Sequence, residues 1–352
     1  MSDSVESPFK FRIPAGTIIP AGGYLVYDES DFNPTPGNPG ANDFALSSNG
    51  DDVLLSRPVA VAGTITTFVE DYVSFGATFN GDSLGLVPNG TGRLTRLASN
   101  SFGSANGVAE VGPLVISEIN YHPGDPSAAA LAIEPLLTDN DLEYIEIANP
   151  TSSAIDLTDW RIRGESDFDF AAGTALAAGA AIVVVSFDPA DVINANKLAA
   201  FEAHYGLASN VTIVGGFTGS LSNSSGRVSL QQPGLPDLLG EVPRVVVDEL
   251  VYDDLAPWAD ADGNGQVLER DDFSANGAFS TSWVAAAPTP GAFDDDFLIA
   301  DVNLDGFVNF LDIAPFIALL ANDAYQLEAD VNQDGVLDFL DISFFINELT
   351  GQ

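Results

Sequence analysis

The stretch "DVNLDGFVNFLD", Asp301 to Asp312, is written again as "DVNQDGVLDFLD", Asp330 to Asp341. Calcium takes six to eight oxygens, and a twelve-residue loop supplies them from positions one, three, five, seven, nine and twelve, with Gly at six where the chain bends sharply. The first loop offers Asp301, Asn303, Asp305, the Phe307 carbonyl, Asn309 and Asp312 around Gly306. The second offers Asp330, Asn332, Asp334, the Val336 carbonyl, Asp338 and Asp341 around Gly335. Every required position is filled in both copies, so the spacing predicts two Ca2+ sites. The bland reading is a pair of decorative acidic turns.

The segment after each loop is repeated too. Ile313, Phe316, Ile317 and Leu320 fall on one helical face, and Ile342, Phe345, Ile346 and Leu349 reproduce it. Pro315 is compatible with a helix starting near Leu311, because early helical N–H groups need no partner. Loop plus exiting helix, twice, with no clear helix entering the first loop, resembles a dockerin module over about 297–352, here placed at 301–352. The resemblance implies an extracellular or cell-surface protein that attaches through this segment to a cohesin-like or other extracellular protein. It departs from the family at Phe310–Leu311 and Phe339–Leu340, where dockerins usually carry small hydroxyl residues. These four side chains either pack between the two helices or form an apolar docking face.

A segment of that size without a disulfide has a marginal core. The chain has no Cys at all, which also excludes thiolate metal sites and thiol nucleophiles. Divalent binding would remove carboxylate repulsion within each loop and add its free energy to folding. The whole chain is acidic, with 51 Asp and Glu against 11 Lys and Arg and a formal charge of −40. That balance repels phosphate backbones and anionic lipid, so no nucleic acid and no membrane insertion is expected. A solvated acidic surface accounts for most of the charge.

The remainder reads as mainly β. Short runs such as "GYLVY", "LVISEIN", "LEYIEIAN", "AIVVVSF" and "RVVVDELVY" are separated by Gly, Pro, Asn and Asp clusters, the pattern of an antiparallel sandwich. Only Asn194 to Gly206 reads as a helix before the tail, with Asn194 as its cap and Gly206 as its stop. The β part also repeats. "IPAGTIIPAGGYLVY" (13–27) aligns with "FAAGTALAAGAAIVV" (170–184), "LSSNGDDVLL" (46–55) with "LSNSSGRVSL" (221–230), and "EDYVSF" (70–75) with "VDELVY" (247–252). The apolar window Ala171 to Phe187 is therefore strand, turn and strand rather than a membrane span, since its first copy carries two prolines and a glycine pair. The second copy is preceded by about fifty residues with no counterpart before the first. The first copy thus reads as a domain missing its opening strands, through truncation, degeneration of the repeat or donation of strands from elsewhere; truncation would also explain why no secretory signal is visible at the start.

"VISEINYHP", then "DLEYIEIANPTSSAIDLTDWRI", then "AGTALAAGAAIVVV", together with the ending "LERDDFSANGAFSTSWVAAAPTPGAF", resemble the lamin-tail domain. This implies an immunoglobulin-like β-sandwich and a scaffold or interaction role with no catalytic apparatus to carry over. The expected order is a partial lamin-tail-like domain at 1–112, a complete sandwich at 113–293, an acidic linker at 294–300 and the helical dockerin-like pair of calcium units at 301–352.

Other chemistry finds little support. The two histidines, His122 and His204, have no G-x-S-x-G stretch to serve, and no H-E-x-x-H helix or phosphate-binding loop is present. Glu118, Glu143 and Glu146 are expected as solvent-facing carboxylates, with a glycosidase pair as the sharper alternative. Trp160, Trp258 and Trp283 are expected in the core, or else as a glycan-binding surface. "DADGNGQVLERD", Asp260 to Asp271, also fits the calcium-loop spacing, but it leads into a strand pattern. The expectation is a non-enzymatic extracellular scaffold. The alternative is a glycan-binding subunit, or the C-terminal part of a glycoside hydrolase in a polysaccharide-degrading assembly.

Overall fold

A strand must find partners for its backbone N–H and C=O groups, and the two β regions of this chain meet that demand to different degrees. The computed structural model describes residues 1–151, 153–207, 210–236, 240–292, 300–303, 308–322, 326–332 and 336–350. They divide into two units, Met1–Glu110 with Pro233–Val246, and Val111–Gln232 with Val247–Gln352.

The first unit is built from two hairpins. β1 (Gly50–Val61) and β2 (Thr64–Gly76) pair antiparallel across a two-residue turn. Ala62 and Gly63 both have positive φ there, as the tight turn joining right-twisted strands requires. β3 (Ser83–Val87) and β4 (Arg93–Leu97) form the second hairpin. Phe11, Tyr27, Phe32 and Phe44 make a small aromatic cluster beside them. The expected strand "GYLVY" does not form, and Tyr24, Leu25 and Val26 are exposed. Its counterpart in the second unit is a strand because a neighbour lies on each side of it. One of those neighbours, Tyr144–Asn149, precedes it in the chain, and the other, Ile213–Gly215, follows it.

The second unit is a β-sandwich. Its strands are β5 (Val115–Asn120), β6 (Tyr144–Asn149), β7 (Ile155–Asp156), β8 (Arg161–Gly164), β9 (Ser166–Asp169), β10 (Ala175–Leu176), β11 (Ala180–Val185), β12 (Ile213–Gly215), β13 (Thr218–Gly219), β14 (Ser225–Pro233), β15 (Arg244–Asp253), β16 (Val267–Arg270) and β17 (Trp283–Ala286). One sheet runs β12-β11-β6-β5-β16-β17 and the other β13-β9-β8-β14-β15. Cross-strand partners fix the faces: Ile116 with Ile147, Ile119 with Ile145, and Ile182 with Ile147 lie inward, all fully buried. The apolar window 171–187 becomes β10, a turn and β11, in keeping with its repeat. No helix among the described residues is long and apolar enough to cross a membrane.

The outer face of the six-stranded sheet is covered rather than solvated. The helix Ala195–Tyr205 lays Ala200 and Phe201 over Tyr144, Val183 and Val185. It ends where expected, at Gly206 in the left-handed conformation, but the Asn194 side chain reaches the Asp188 carbonyl instead of capping. A helical turn that periodicity missed, Ala128–Ile133, packs beside it, capped by the Ser127 hydroxyl. With six residues it is too short to display a 3.6-residue pattern.

The two sheets are tied by a buried ion pair. Arg270 on β16 donates to both carboxylate oxygens of Asp248 on β15, at 2.8 and 3.2 Å, and Asp248 also accepts the Ile116 N–H at 2.8 Å. The guanidinium lies over the Trp283 ring, 5.4 Å from its centroid. Removing one partner leaves the other charge buried, so Asp248→Ala is expected to cost about 3–5 kcal/mol. Chemical denaturation at saturating calcium measures this; a loss no larger than that of a surface pair, about 1 kcal/mol, would contradict the assignment.

Candidate metal centre

Each terminal loop closes on its last carboxylate. In the first, Asp312 Oδ1 accepts the Asn303 N–H at 3.0 Å and Oδ2 accepts the Asn309 N–H at 2.8 Å. In the second, Asp341 Oδ1 accepts the Asn332 N–H at 3.0 Å and Oδ2 accepts the Asp338 N–H at 2.9 Å. Position twelve therefore binds the backbone at positions three and nine in both copies. The position-nine side chains each accept a backbone N–H two residues on, Asn309 Oδ1 from Leu311 at 2.8 Å and Asp338 Oδ1 from Leu340 at 2.6 Å.

Helices follow both loops. The first, Ile313–Ala321, starts two residues after the expected Leu311, which places Pro315 in the first turn, and the second spans Asp341–Thr350. They meet through Phe316 and Phe345, whose rings stack with centroids 4.0 Å apart and planes 7° from parallel. Ala300, Val302, Ala329 and Val331 complete this small core, with Ile313, Leu319, Leu320, Ile342 and Leu349 packed around it. The two loops are also joined directly: Ala300 N–H donates to the Glu328 carbonyl at 2.7 Å, and Gln326 Nε2 to the Val302 carbonyl at 3.0 Å. Two expected core residues, Ile317 and Ile346, are more than half exposed; Leu319 takes the inner place in the first helix. The helices cross at Phe316 and Phe345, which rotates each i+4 residue outward.

Asp301, Asp312, Asp330 and Asp341 are all buried, with 1% exposure or less. Asn303, Asn309, Asn332 and Asp338 are half-buried around them, and the Val336 side chain points to solvent, as suits a residue expected to offer only its carbonyl. Asp305, Phe307 and Asp334 lie outside the described residues. Among the described residues no group of three or more acidic or histidine side chains is gathered for a metal. The donor set that is described still fits calcium: it is all oxygen, and each loop buries two carboxylates of one sign, an arrangement a divalent cation neutralises.

The loop-like stretch 260–271 behaves differently. Val267–Arg270 is a strand, the ninth position is the buried Leu268, and Asp262 is engaged by the His122 ring. It is a sandwich loop entering β16. His204, the other histidine, accepts the Ser127 N–H at 3.0 Å.

The expectation of solvent-facing carboxylates fails on the sheet. Glu118, Glu143 and Glu146 are all buried, because helices and the segment after β17 cover the strand ends and outer face. Burial pushes Glu143 up to about 7 and Glu146 up to about 8. Glu143 accepts the Leu221 N–H at 3.0 Å. Sealed in this way, the three do not present their oxygens to a sugar. Trp160 and Trp283 are core residues, and Trp258 is half-buried.

A duplicated loop-and-helix unit following an immunoglobulin-like sandwich is the class this geometry defines. Comparison with known families matches both parts: residues 299–350 to the Dockerin type I domain and residues 108–233 to the Lamin Tail Domain. Both families point to protein–protein interaction, and calcium is the ion that dockerin loops take. No curated protein matches the chain. A solved structure of a DUF4876 family protein from Bacteroides thetaiotaomicron VPI-5482 is 13% identical, covering 70% of this chain and 90% of its own; its TM-score of 0.29 carries no argument.

Because metal and folding are linked in so small a core, removing calcium is expected to melt both terminal helices. Far-UV circular dichroism of the chain should lose helix signal in chelator and regain it in calcium. Asp341→Ala should remove the second helix's share at any practical calcium level. Identical spectra with and without calcium would contradict this.

Proposed function

We propose that this chain is a non-enzymatic extracellular scaffold, in which the sandwich is the body and the calcium-folded tail is the attachment point for another protein. Calcium is held in two sites, by Asp301, Asn303, Asp305, the Phe307 carbonyl, Asn309 and Asp312, and by Asp330, Asn332, Asp334, the Val336 carbonyl, Asp338 and Asp341. When bound, the ion supplies the positive charge that lets each loop stay closed.

The observation that carries the reading is the placement of the two Phe–Leu pairs. Packing between the helices would have hidden them, yet Phe310 and Leu311 are 77% and 67% exposed, and Phe339 and Leu340 are 82% and 62% exposed. The stacked Phe316 and Phe345 occupy the helix interface instead. Each exposed pair sits immediately before a loop-closing aspartate, so loop closure fixes its position. An apolar cluster displayed this way suits a protein partner with a matching apolar surface, cohesin-like in how it takes the tail but not in the hydroxyl contacts usual for that pairing.

Burying a Phe or Leu side chain is worth about 1.5–3 kcal/mol. Replacing Phe310 and Leu311 by Ser is therefore expected to weaken capture of cohesin domains or secreted proteins by the full chain at least about tenfold in calcium, with the helix signal retained. Replacing Phe339 and Leu340 should do the same if both copies are engaged together. Capture that persists in chelator, or is indifferent to all four substitutions, would overturn the reading.

A further inference from the structure

The outer face of the six-stranded sheet carries a feature that neither family resemblance assigns. After β17, at one edge of the sheet, the chain turns back across that face as 287–292. Thr289 to Ala292 form a tight turn: Pro290 sits at its second position, Gly291 at its third with φ +85°, and the Ala292 N–H closes it on the Thr289 carbonyl at 2.9 Å. A side chain at Gly291 would overlap Val211, just before β12 at the far edge. The segment is thus a strap laid over the sheet, and its far end leads through 293–299 to the tail.

Two carboxylates hold the strap down. Glu118 on β5 and Glu146 on β6 are directly opposite each other, on the outer face. Glu118 accepts the Thr289 N–H at 3.0 Å, the Thr289 hydroxyl at 3.2 Å and the Tyr144 hydroxyl. Glu146 accepts the Gly291 N–H at 2.6 Å and the Ser117 hydroxyl at 2.7 Å. Both are 2% exposed.

The surroundings decide how much charge this pair holds. Among the described residues, the largest charged influences on Glu146 are Glu118 and, from β16, Glu269, both of its own sign, while the Gly291 N–H and the Ser117 hydroxyl favour its ionised form. β6 contributes Tyr144 and the covering helix Ala195–Tyr205 contributes Tyr205; both are phenols held neutral by burial and nearby carboxylates. The short helix Ala128–Ile133 has no titratable side chain, and the strap brings only N–H groups and one hydroxyl. Two adjacent buried carboxylates with such neighbours do not both ionise at modest cost.

We propose that Glu118 and Glu146 share one proton and form a proton-dependent clasp on the strap. Losing that proton places two negative charges side by side beneath the turn, and the strap lifts. Six released residues extend the tether to the tail by up to about 20 Å, since an extended chain spans roughly 3.3–3.6 Å per residue. The tether consequence rests on the tail being an attachment point; the clasp itself does not.

The sign comes from Glu146 titrating near 8 when folded, against an ordinary value of 4.5. The folded chain keeps a proton that the unfolded or lifted chain releases earlier. The stabilisation is complete below the ordinary value, declines as the pH rises, and is gone above about 8.

Hydrogen exchange of 287–292 in the full chain at saturating calcium tests this, after correction for the intrinsic pH dependence of exchange. Protection is expected to fall at least about tenfold between about pH 6 and about pH 9, the change that one pH unit of one-proton linkage produces. Glu146→Gln, which keeps the shape and cannot ionise, should stay protected at both. Equal wild-type protection across the range, or an unchanged drop in the Gln variant, would overturn the proposal. Should that variant fail to fold, carbon NMR of the wild-type Glu146 carboxyl decides: a midpoint well above the ordinary range supports the clasp, and an ordinary midpoint ends it.

Discussion

A carboxylate taken out of water must be given a positive charge, a proton or a set of N–H donors, and a chain with 51 acidic side chains meets that constraint wherever it packs. Three answers are built into this one. Asp248 is given Arg270, an ion pair that ties the two sheets together. Glu118 and Glu146 are given hydrogen bonds from the Thr289 and Gly291 N–H groups and from hydroxyls, and, in the proposed clasp, one proton between them. Asp312 and Asp341 are given two backbone N–H groups each, and in the proposed calcium-bound tail an ion would complete the neutralisation.

The third answer is the one on which the proposed function rests. The N–H donors that Asp312 and Asp341 hold belong to positions three and nine of their loops, so closing a loop sets the turn that displays Phe310–Leu311 or Phe339–Leu340. In the proposed function, ion, loop closure and apolar display are one linked event, and the Phe316–Phe345 stack joins the two copies.

How much of this was legible depended on how local each cause is. The dockerin-like tail was readable because a loop spacing confined to twelve consecutive residues is written twice, and the family match over 299–350 agrees; the ligand sets themselves remain an expectation from that spacing. The β class and the second copy's strands were readable because Tyr144 to Ile147 and Ala180 to Val185 carry enough β-branched and aromatic residues. "GYLVY" has equal local propensity and forms no strand, since pairing partners are a non-local matter. The burial of Glu118 and Glu146 was missed for a related reason. Alternation suggested one wet face, yet Tyr144 and Ala148, which share the face of Glu146, are apolar and fully buried, the mark of a strand covered on both faces. The inner place of Leu319 and the exposure of Ile317 were likewise set by where two helices cross, which neither helix states by itself.

Calorimetric titration of the calcium-free chain tests the central claim most directly, namely that the acidic tail takes its shape by binding cations within its two loops. The account predicts saturable uptake of about two calcium ions, reduced to about one in either Asp312→Ala or Asp341→Ala, with proton release small because the ligands are carboxylates. No saturable uptake, or uptake unchanged in both variants, would contradict it.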